Sequence, residues 1–258
     1  MEYGTLVKGS FTYAKEGLVG DLVTWILLIV LTLLPAIPIV LIMAIMVFSM
    51  SGTPDYLLLA CSFAIALIAT ILLSAFYSGF MLKILRGEKP LPAVSGYCTL
   101  FSDGIRYIII EVVYSIPVIL VILLTIVPAI VTMMPHMVKG NFTALSAVIG
   151  TLLTGIVASA VLAFIIGLFG IVGMVQFART GSIREAFNFT AILATIKNIG
   201  WWTYIIALLI MVILVLVVTV ILAVIPVIGS ILQIIIAPFI GVFTMRYICL
   251  LYDSAGTT

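Results

Sequence analysis

The residues that could do chemistry are few in this chain, and they stand far apart. Three acids, Asp21, Asp103 and Glu111, begin or precede apolar segments and could converge at one membrane surface, as a lipid-acting enzyme would require. The one histidine, His136, falls in a predicted outer loop, which excludes a metal site built from several histidines. No nucleotide-binding, hydrolase or metalloprotease motif occurs. We therefore predict no catalytic site, no metal and no cofactor, and we keep a membrane enzyme as an alternative.

Two of these acids are also the best candidates for coupling carboxylates. Ion-coupled transport usually requires an ionisable residue within the membrane, and Asp21 and Glu111 each open an apolar segment. A carboxylate at that position also stabilises the positive amino terminus of a helix. Both interpretations stay open at this point.

A second chemical feature is a group of basic residues between the apolar segments. Such cations attract anionic lipid headgroups by ~1 kcal/mol each near the surface. They predict a site for a lipid headgroup or another anionic ligand, although the same residues also serve as a topology signal. The six members of this group are Arg86, Lys89, Arg106, Arg179, Arg184 and Lys197.

The composition excludes a water-soluble globular domain. Of 258 residues, 65% are hydrophobic and 8% are charged, and the mean hydropathy is +1.48. A soluble domain has roughly 45–50% apolar and about 25% charged residues. A net charge of +2 and this apolar content also exclude a disordered chain and a nucleic-acid binder. The three cysteines form no Cys-x-x-Cys pair, so neither a disulfide framework nor a zinc knuckle is predicted.

The elements that must position these residues are membrane-spanning helices, each of which needs ~20 mainly apolar residues. The apolar runs lack the alternation of a barrel strand. The sequence therefore predicts an all-α, polytopic transmembrane bundle in a single integral membrane domain, 1–258. Internal prolines predict kinks in several spans. The six predicted spans cover residues 22–50, 56–82, 107–133, 143–176, 201–227 and 230–250.

The basic residues predict the orientation of these spans. Cytoplasmic loops carry an excess of Lys and Arg. With both termini in the cytoplasm, Lys139 alone among the eleven basic residues falls outside. This distribution predicts a multi-pass plasma-membrane protein with cytoplasmic N- and C-termini.

The segments on the cytoplasmic side predict a threefold internal repeat. A short helix with one apolar and one cationic face precedes the first, third and fifth spans, which is typical of a helix lying in the membrane plane. In the third of these segments, Ser182 is expected to cap the helix and Glu185 to complete a capping box. The chain is therefore predicted to contain three pseudo-repeats of one interfacial helix plus two spans, at about 1–90, 91–180 and 181–258.

Two stretches of sequence resemble a known family. Residues 85–92 (LRGEKPLP) with 101–104 (FSDG), and residues 178–182 (ARTGS) with 185–187 (EAF), resemble signatures of a family of archaeal membrane proteins described only as a domain of unknown function. The six-span layout is also distantly similar to the membrane domain of glycerophosphodiester phosphodiesterases. The resemblance implies an archaeal plasma-membrane protein without an assigned activity. It carries no catalytic residues over. The phosphodiesterase activity is not transferred either, because no soluble phosphodiesterase domain is present.

These observations favour a non-enzymatic integral membrane protein with a structural, lipid-interacting or accessory-subunit role. The expected partners are membrane lipids, together with a membrane protein partner or further copies of the chain, and no nucleic acid. The alternative is a transporter or channel for ions or small molecules, which the kinked spans and the repeat would suit.

Overall fold

The computed structural model describes residues 2–49, 56–138 and 145–256, and within these ranges it is almost wholly helical, without strands. The predicted all-α class is confirmed. A short 3-10 helix, Ile183–Phe187, precedes α7, and another, Ser254–Gly256, follows α9. The α-helices are α1 (Tyr3–Val19), α2 (Leu22–Leu33), α3 (Ala36–Ser49), α4 (Tyr56–Leu85), α5 (Tyr97–Val138), α6 (Leu145–Thr180), α7 (Phe189–Ile199), α8 (Trp201–Val224) and α9 (Ile228–Asp253).

Six helical segments are long and apolar enough to cross a membrane, as the sequence predicts. They are Leu22–Val47, Tyr56–Leu85, Tyr97–Thr132, Val148–Thr180, Trp201–Val224 and Ile228–Gly256. Large apolar side chains on these segments point outward: Val23 is 68% exposed, Leu57 74% and Leu124 73%. Such a surface is costly in water but suits a lipid solvent, and helices satisfy their own backbone hydrogen bonds there.

The first span, Leu22–Val47, is interrupted by a two-residue turn at Leu34 and Pro35. Helix α2 ends at Leu33 and α3 begins at Ala36, so the break falls at Pro35, which has no backbone N–H to donate. The hydroxyl of Thr70 on α4 donates to the carbonyl of Pro35 at 3.3 Å. A neighbouring helix thus supplies a partner for the backbone at the break, as a lipid environment requires.

The second predicted interfacial helix is not a separate element, and this corrects the sequence prediction. Residues 97–108 are the first turns of α5, which continues to Val138 and so includes the backbone of His136, expected in a loop. The other two interfacial segments do end before their spans. Gly20 and Asp21 separate α1 from α2, and Gly200, with φ +94°, separates α7 from α8. No comparable break or cap follows residue 97, so α5 continues. The internal repeat itself stays a prediction.

The predicted cap at Ser182 is also wrong. Ser182 makes no side-chain cap hydrogen bond, and the residues after it form the 3-10 helix. Asn188 caps α7 instead, because its Oδ1 accepts from the backbone N–H of Ala191 at 3.2 Å. Glu185 accepts from the Asn188 amide at 2.9 Å and holds the cap in place. Both residue types are good caps, so the sequence alone does not decide between them.

The chain groups into two compact units, residues 1–108 with 172–258, and residues 109–171. In the first unit α9 is central, since it packs against α1, α2, α4, α7 and α8. In the second unit α5 and α6 approach closely, and a Cβ on Gly155 would lie 2.6 Å from side-chain atoms of Thr125. The short connections at 51–55 and 139–144, with Lys139, and the side chain of His136 lie outside the described residues.

Two glycines bring α4 and α5 into direct backbone contact within the first unit. A Cβ on Gly79 would overlap the carbonyl of Leu100, and one on Gly104 would overlap the carbonyl of Ala75. Small residues permit such close approach between membrane helices. The contact places the carboxyl end of α4 beside the first turns of α5, where the first charged cluster lies.

Candidate functional site

Arg86 and Asp103 form the first charged cluster, at the close contact of α4 and α5. Arg86 Nη2 lies 2.6 Å from Asp103 Oδ2, and Arg106 Nη1 lies 4.0 Å from Asp103 Oδ1. Asp103 is 15% exposed at its side chain, whereas Arg106 is half exposed. Two guanidinium groups thus share one carboxylate, and the cluster keeps one uncompensated positive charge.

Arg179, at the carboxyl end of α6, is held by the carboxyl end of α9. Its Nη2 atom lies 2.6 Å from Asp253 Oδ1 and 3.1 Å from the sulfur of Cys249. Its guanidinium also packs on the backbone of Gly87, where a Cβ would lie 2.9–3.0 Å from the guanidinium atoms. Gly87 has φ +86°, a conformation that favours glycine. The turn that follows Arg86 therefore also forms one wall of the Arg179 site.

Arg246 on α9 is the functional candidate that sequence reasoning missed. Arg246 is only 3% exposed. Its Cζ lies 4.7 Å from the centroid of the Tyr13 ring, and its Nη1 lies 3.8 Å from the Cys249 sulfur. No carboxylate among the described residues comes within 4.0 Å of it. The available signal was an arginine inside an otherwise apolar span, which usually faces the protein interior.

Tyr13 covers Arg246 from α1 and stays neutral. Burial raises the pKa of Tyr13 to about 12, and the positive charge of Arg246 opposes part of that rise. The Tyr13 hydroxyl donates to the carbonyl of Glu88 at 2.9 Å. The ring therefore offers its electron-rich face to the guanidinium but no compensating charge.

We call the group formed by Tyr13, Arg179, Arg246, Cys249 and Asp253 the Arg246 cluster. It contains two guanidinium groups and one carboxylate, so it also keeps one uncompensated positive charge. A buried charge is costly unless it is paired. The arrangement can attract an anion of small size, such as a phosphate group.

The remaining three predicted cations are exposed and have no ion-pair partner within 4.0 Å in the described part of the chain. Lys89 lies in the turn after α4, Arg184 in the 3-10 helix, and Lys197 in the last turn of α7. The structure therefore divides the six predicted cations into two sets: Arg86, Arg106 and Arg179 lie on carboxylates, while Lys89, Arg184 and Lys197 face outward.

Helices α1 and α7, both in the first unit, carry exposed apolar side chains as well as cations. Helix α1 packs Leu6, Ala14 and Leu18 inward while Phe11 is 50% exposed. Helix α7 buries Ile192 and Ile196 and exposes Phe189 and Leu193. A helix that exposes both large apolar and cationic side chains suits the boundary between headgroups and acyl chains.

The two predicted coupling carboxylates have separate surroundings. Asp21 caps α2: its Oδ1 accepts from the Thr24 backbone N–H at 3.2 Å and its Oδ2 from the Thr24 hydroxyl at 2.7 Å. These hydrogen bonds, led by the one from the hydroxyl, lower the pKa of Asp21. Glu111 belongs to the second unit, where its side chain is exposed on α5 and makes no ion pair with a described residue. No group of three or more His, Cys, Asp or Glu that could hold a metal occurs in the ranges that the structure covers.

Comparison with known proteins matches residues 62–227, nearly two-thirds of the chain, to a family described as a protein of unknown function (DUF4013). The matched segment includes both stretches that prompted the resemblance. No curated protein and no solved structure shows a significant match. The archaeal origin and the likeness to phosphodiesterase membrane domains stay expectations.

Proposed function

This chain belongs to the DUF4013 family, and we propose that it is a non-enzymatic integral membrane protein that binds anionic lipid headgroups in a structural or accessory role. One observation carries the proposal. Residues 83–106, 179–197 and 246–253 contain eight basic and four acidic side chains, an excess of four positive charges. Contacts between Arg86 and Asp103, between Gly87 and Arg179, and between Arg179 and Asp253 bring these segments together.

The energetics favour an anionic surface at these segments. An uncompensated Lys or Arg near a membrane contributes ~1 kcal/mol with anionic lipid. Lys89, Arg184 and Lys197 are free for such contacts, and the nearby acids Glu88 and Glu185 reduce the sum. We expect roughly a tenfold preference for anionic over zwitterionic lipid, which salt should weaken because these side chains are exposed.

The same charges support a location and an orientation. Under the rule that Lys and Arg stay on the cytoplasmic side, we propose a plasma-membrane protein with both termini in the cytoplasm. We further propose that its partners are membrane lipids and either a second membrane protein or another copy of the chain. The exposed apolar and cationic residues of α1 and α7 would then lie at the inner headgroup layer.

The test is the association of spin-labelled phosphatidylglycerol and phosphatidylcholine with the reconstituted protein. We expect the double variant Arg184→Gln, Lys197→Gln to lose most of the preference for phosphatidylglycerol at low salt. The control is Lys139→Gln, which removes one cation predicted on the opposite side and should leave the preference unchanged. Equal association of both lipids with the unmodified protein, or an equal loss in the control, would refute the proposal.

The second candidate function is a transporter or channel, favoured by the break at Pro35. Discontinuous membrane helices often border substrate sites in transporters. Flux of ions or small solutes from liposomes would support this alternative, and it would have to disappear in a variant that restores a continuous helix, Pro35→Ala.

A further inference from the structure

A cavity of about 540 Å³, open to the surface of the helices, lies between α2, α8 and α9, apart from the charged clusters. Its walls are mainly apolar, but four polar side chains also line it: Thr32, Thr219, Ser230 and Gln233. Ligand sites typically have a volume of roughly 300–1,000 Å³, apolar walls and a few polar groups. The cavity therefore has the size and character of a small-ligand site.

Two of these four side chains make hydrogen bonds with described residues of the protein, and two do not. The hydroxyls of Thr32 and Thr219 donate to their own helices, to Leu28 and Val215, each at 2.8 Å. The Thr219 oxygen can still accept, whereas the Thr32 hydroxyl also hydrogen-bonds with the Tyr77 side chain. The Gln233 amide and the Ser230 hydroxyl make no side-chain hydrogen bond with any described residue. Leaving an amide unpaired in an apolar setting is costly, so an occupant that hydrogen-bonds to it gains affinity.

The chemistry of the lining restricts the occupant to an uncharged molecule. Among the described residues, no Asp, Glu, Lys, Arg or His side chain lines the cavity, so an ionised headgroup would find no counter-charge there. The cavity walls are contributed by three membrane-spanning helices, so a ligand can arrive from the lipid phase. A long apolar chain can contact the aliphatic walls, while a hydroxyl can both donate to and accept from the Gln233 amide.

We propose that this cavity binds an uncharged amphiphile, a long-chain alcohol or a glycerolipid with a free hydroxyl. The Gln233 amide and the Ser230 hydroxyl recognise the hydroxyl of the ligand. This site is independent of the cation-based function proposed above, because it uses no charged residue and takes a different class of lipid.

Tryptophan quenching can report occupancy, because Trp25 lies beside the cavity. Its Nε1 donates at 2.9 Å to the carbonyl of Ile235, the residue that follows Ile234 of the cavity wall. The chain has three tryptophans, and Trp201→Phe with Trp202→Phe leaves Trp25 alone. This parent variant is reconstituted in phosphatidylcholine vesicles with dibrominated octadecanol, dibrominated octadecane or dibrominated phosphatidylcholine as the quencher.

In the parent variant we expect half-maximal quenching by the alcohol at a roughly tenfold lower mole fraction than by the alkane. Gln233→Leu should reduce that difference to about twofold, and Ser230→Ala should reduce it partly. Ala237→Phe should fill the cavity and abolish saturable quenching by the alcohol. The control is Ser62→Ala, whose hydroxyl donates within α4 at 2.9 Å and does not line the cavity, so it should keep the parent difference.

Several results would overturn the proposal. Equal quenching by alcohol and alkane in the parent variant would mean that the cavity selects no hydroxyl, and this comparison needs no cavity variant to fold. Equal quenching by the zwitterionic phosphatidylcholine probe, whose headgroup carries one charge of each sign, would contradict a ligand without charged groups. A Gln233→Leu variant with native helicity and an unchanged tenfold difference would exclude the amide as the recognition group.

Discussion

The contact between Tyr13 and Arg246 yields the sharpest stability prediction. If Arg246 serves to bind an anionic ligand rather than to stabilise the fold, replacing it with an apolar side chain of similar size should lower the free energy of unfolding only slightly. We expect Arg246→Met to change the free energy of unfolding by less than ~1 kcal/mol, because relief of the buried charge offsets the lost contact with the ring. By contrast, substitutions at Tyr13 should destabilise the protein while Arg246 remains.

The magnitude follows from the two contacts of Tyr13. Its ring lies 4.7 Å from Arg246, and Arg246 is 3% exposed, so the desolvated cation–π attraction should contribute ~2 kcal/mol. Its hydroxyl bond to Glu88 at 2.9 Å should contribute ~1 kcal/mol. Tyr13→Phe should therefore cost ~1 kcal/mol and Tyr13→Leu ~3 kcal/mol. In the Arg246→Met background the difference between the two Tyr13 variants should fall by ~2 kcal/mol.

The assay is reversible unfolding of the reconstituted protein in mixed micelles by sodium dodecyl sulfate, followed by circular dichroism. The double-mutant cycle compares Tyr13→Phe with Tyr13→Leu, each with Arg246 present and in the Arg246→Met background. Tyr13→Phe controls for the lost hydroxyl, and the four proteins yield the coupling energy directly. Because Arg246 is buried and Tyr13 is partly buried, the coupling should change little with added salt. A coupling energy near zero, or an Arg246→Met variant destabilised by more than ~3 kcal/mol, would refute the reasoning.

Three further predictions concern packing, orientation and pH. Gly104→Ala should destabilise the protein, because a Cβ there would overlap the backbone of α4. Gly167→Ala should be neutral or stabilising, because a Cβ there meets open space. Thermal unfolding in detergent distinguishes the two outcomes. Cys98 is exposed, so a membrane-impermeant thiol reagent should label it in broken cells but not in intact ones, and labelling in intact cells would invert the proposed orientation. Hydrogen bonds lower the pKa of Asp21, so its cap stabilises α2 at neutral pH and loses strength as pH falls through the acidic range below the usual Asp pKa. Asp21→Asn keeps a capping oxygen that does not titrate, and an equal acid sensitivity of both proteins in thermal unfolding would contradict this account.

The main features of the fold were predictable because a lipid environment imposes simple local rules. Six apolar segments of sufficient length and the absence of alternation predicted an all-helical chain with six spans. The described residues are almost wholly helical, and six of their helical segments are long and apolar enough to cross a membrane. Internal prolines predicted kinks in several spans. Pro35 does lie at the interruption between α2 and α3, whereas Pro117 and Pro238 lie within continuous helices. These predictions depend on length, hydropathy and single residue types, which are properties of the chain read in order.

Local boundaries were less predictable where two residues compete for one role. Ser182 and Asn188 both suit a helix cap, and the backbone path after Gly181 decides in favour of Asn188. The amphipathic pattern at residues 97–108 resembled a separate interfacial helix. In the structure these residues instead form the first turns of α5. Gly79 on α4 and Gly104 on α5 allow the two helices to pack in backbone contact there.

The candidate sites required the tertiary structure. The sequence named Arg86, Arg106 and Arg179 as cations, but it could not show that each lies on a carboxylate while Lys89, Arg184 and Lys197 stay free. In the sequence, Gln233 is a lone polar residue within an apolar segment. The cavity that its amide borders is formed by three helices that are distant in the chain.

Sequence by itself determined that this chain is a helical membrane protein whose basic residues cluster between alternate spans, because hydropathy and charge act through the solvent around each segment. Tertiary structure decided which of those charges is buried. Arg246 lies in the last helix, and the side chain that covers it, Tyr13, comes from the first. No local pattern can reveal that contact, because it depends on how α1 packs against α9 after both helices have formed.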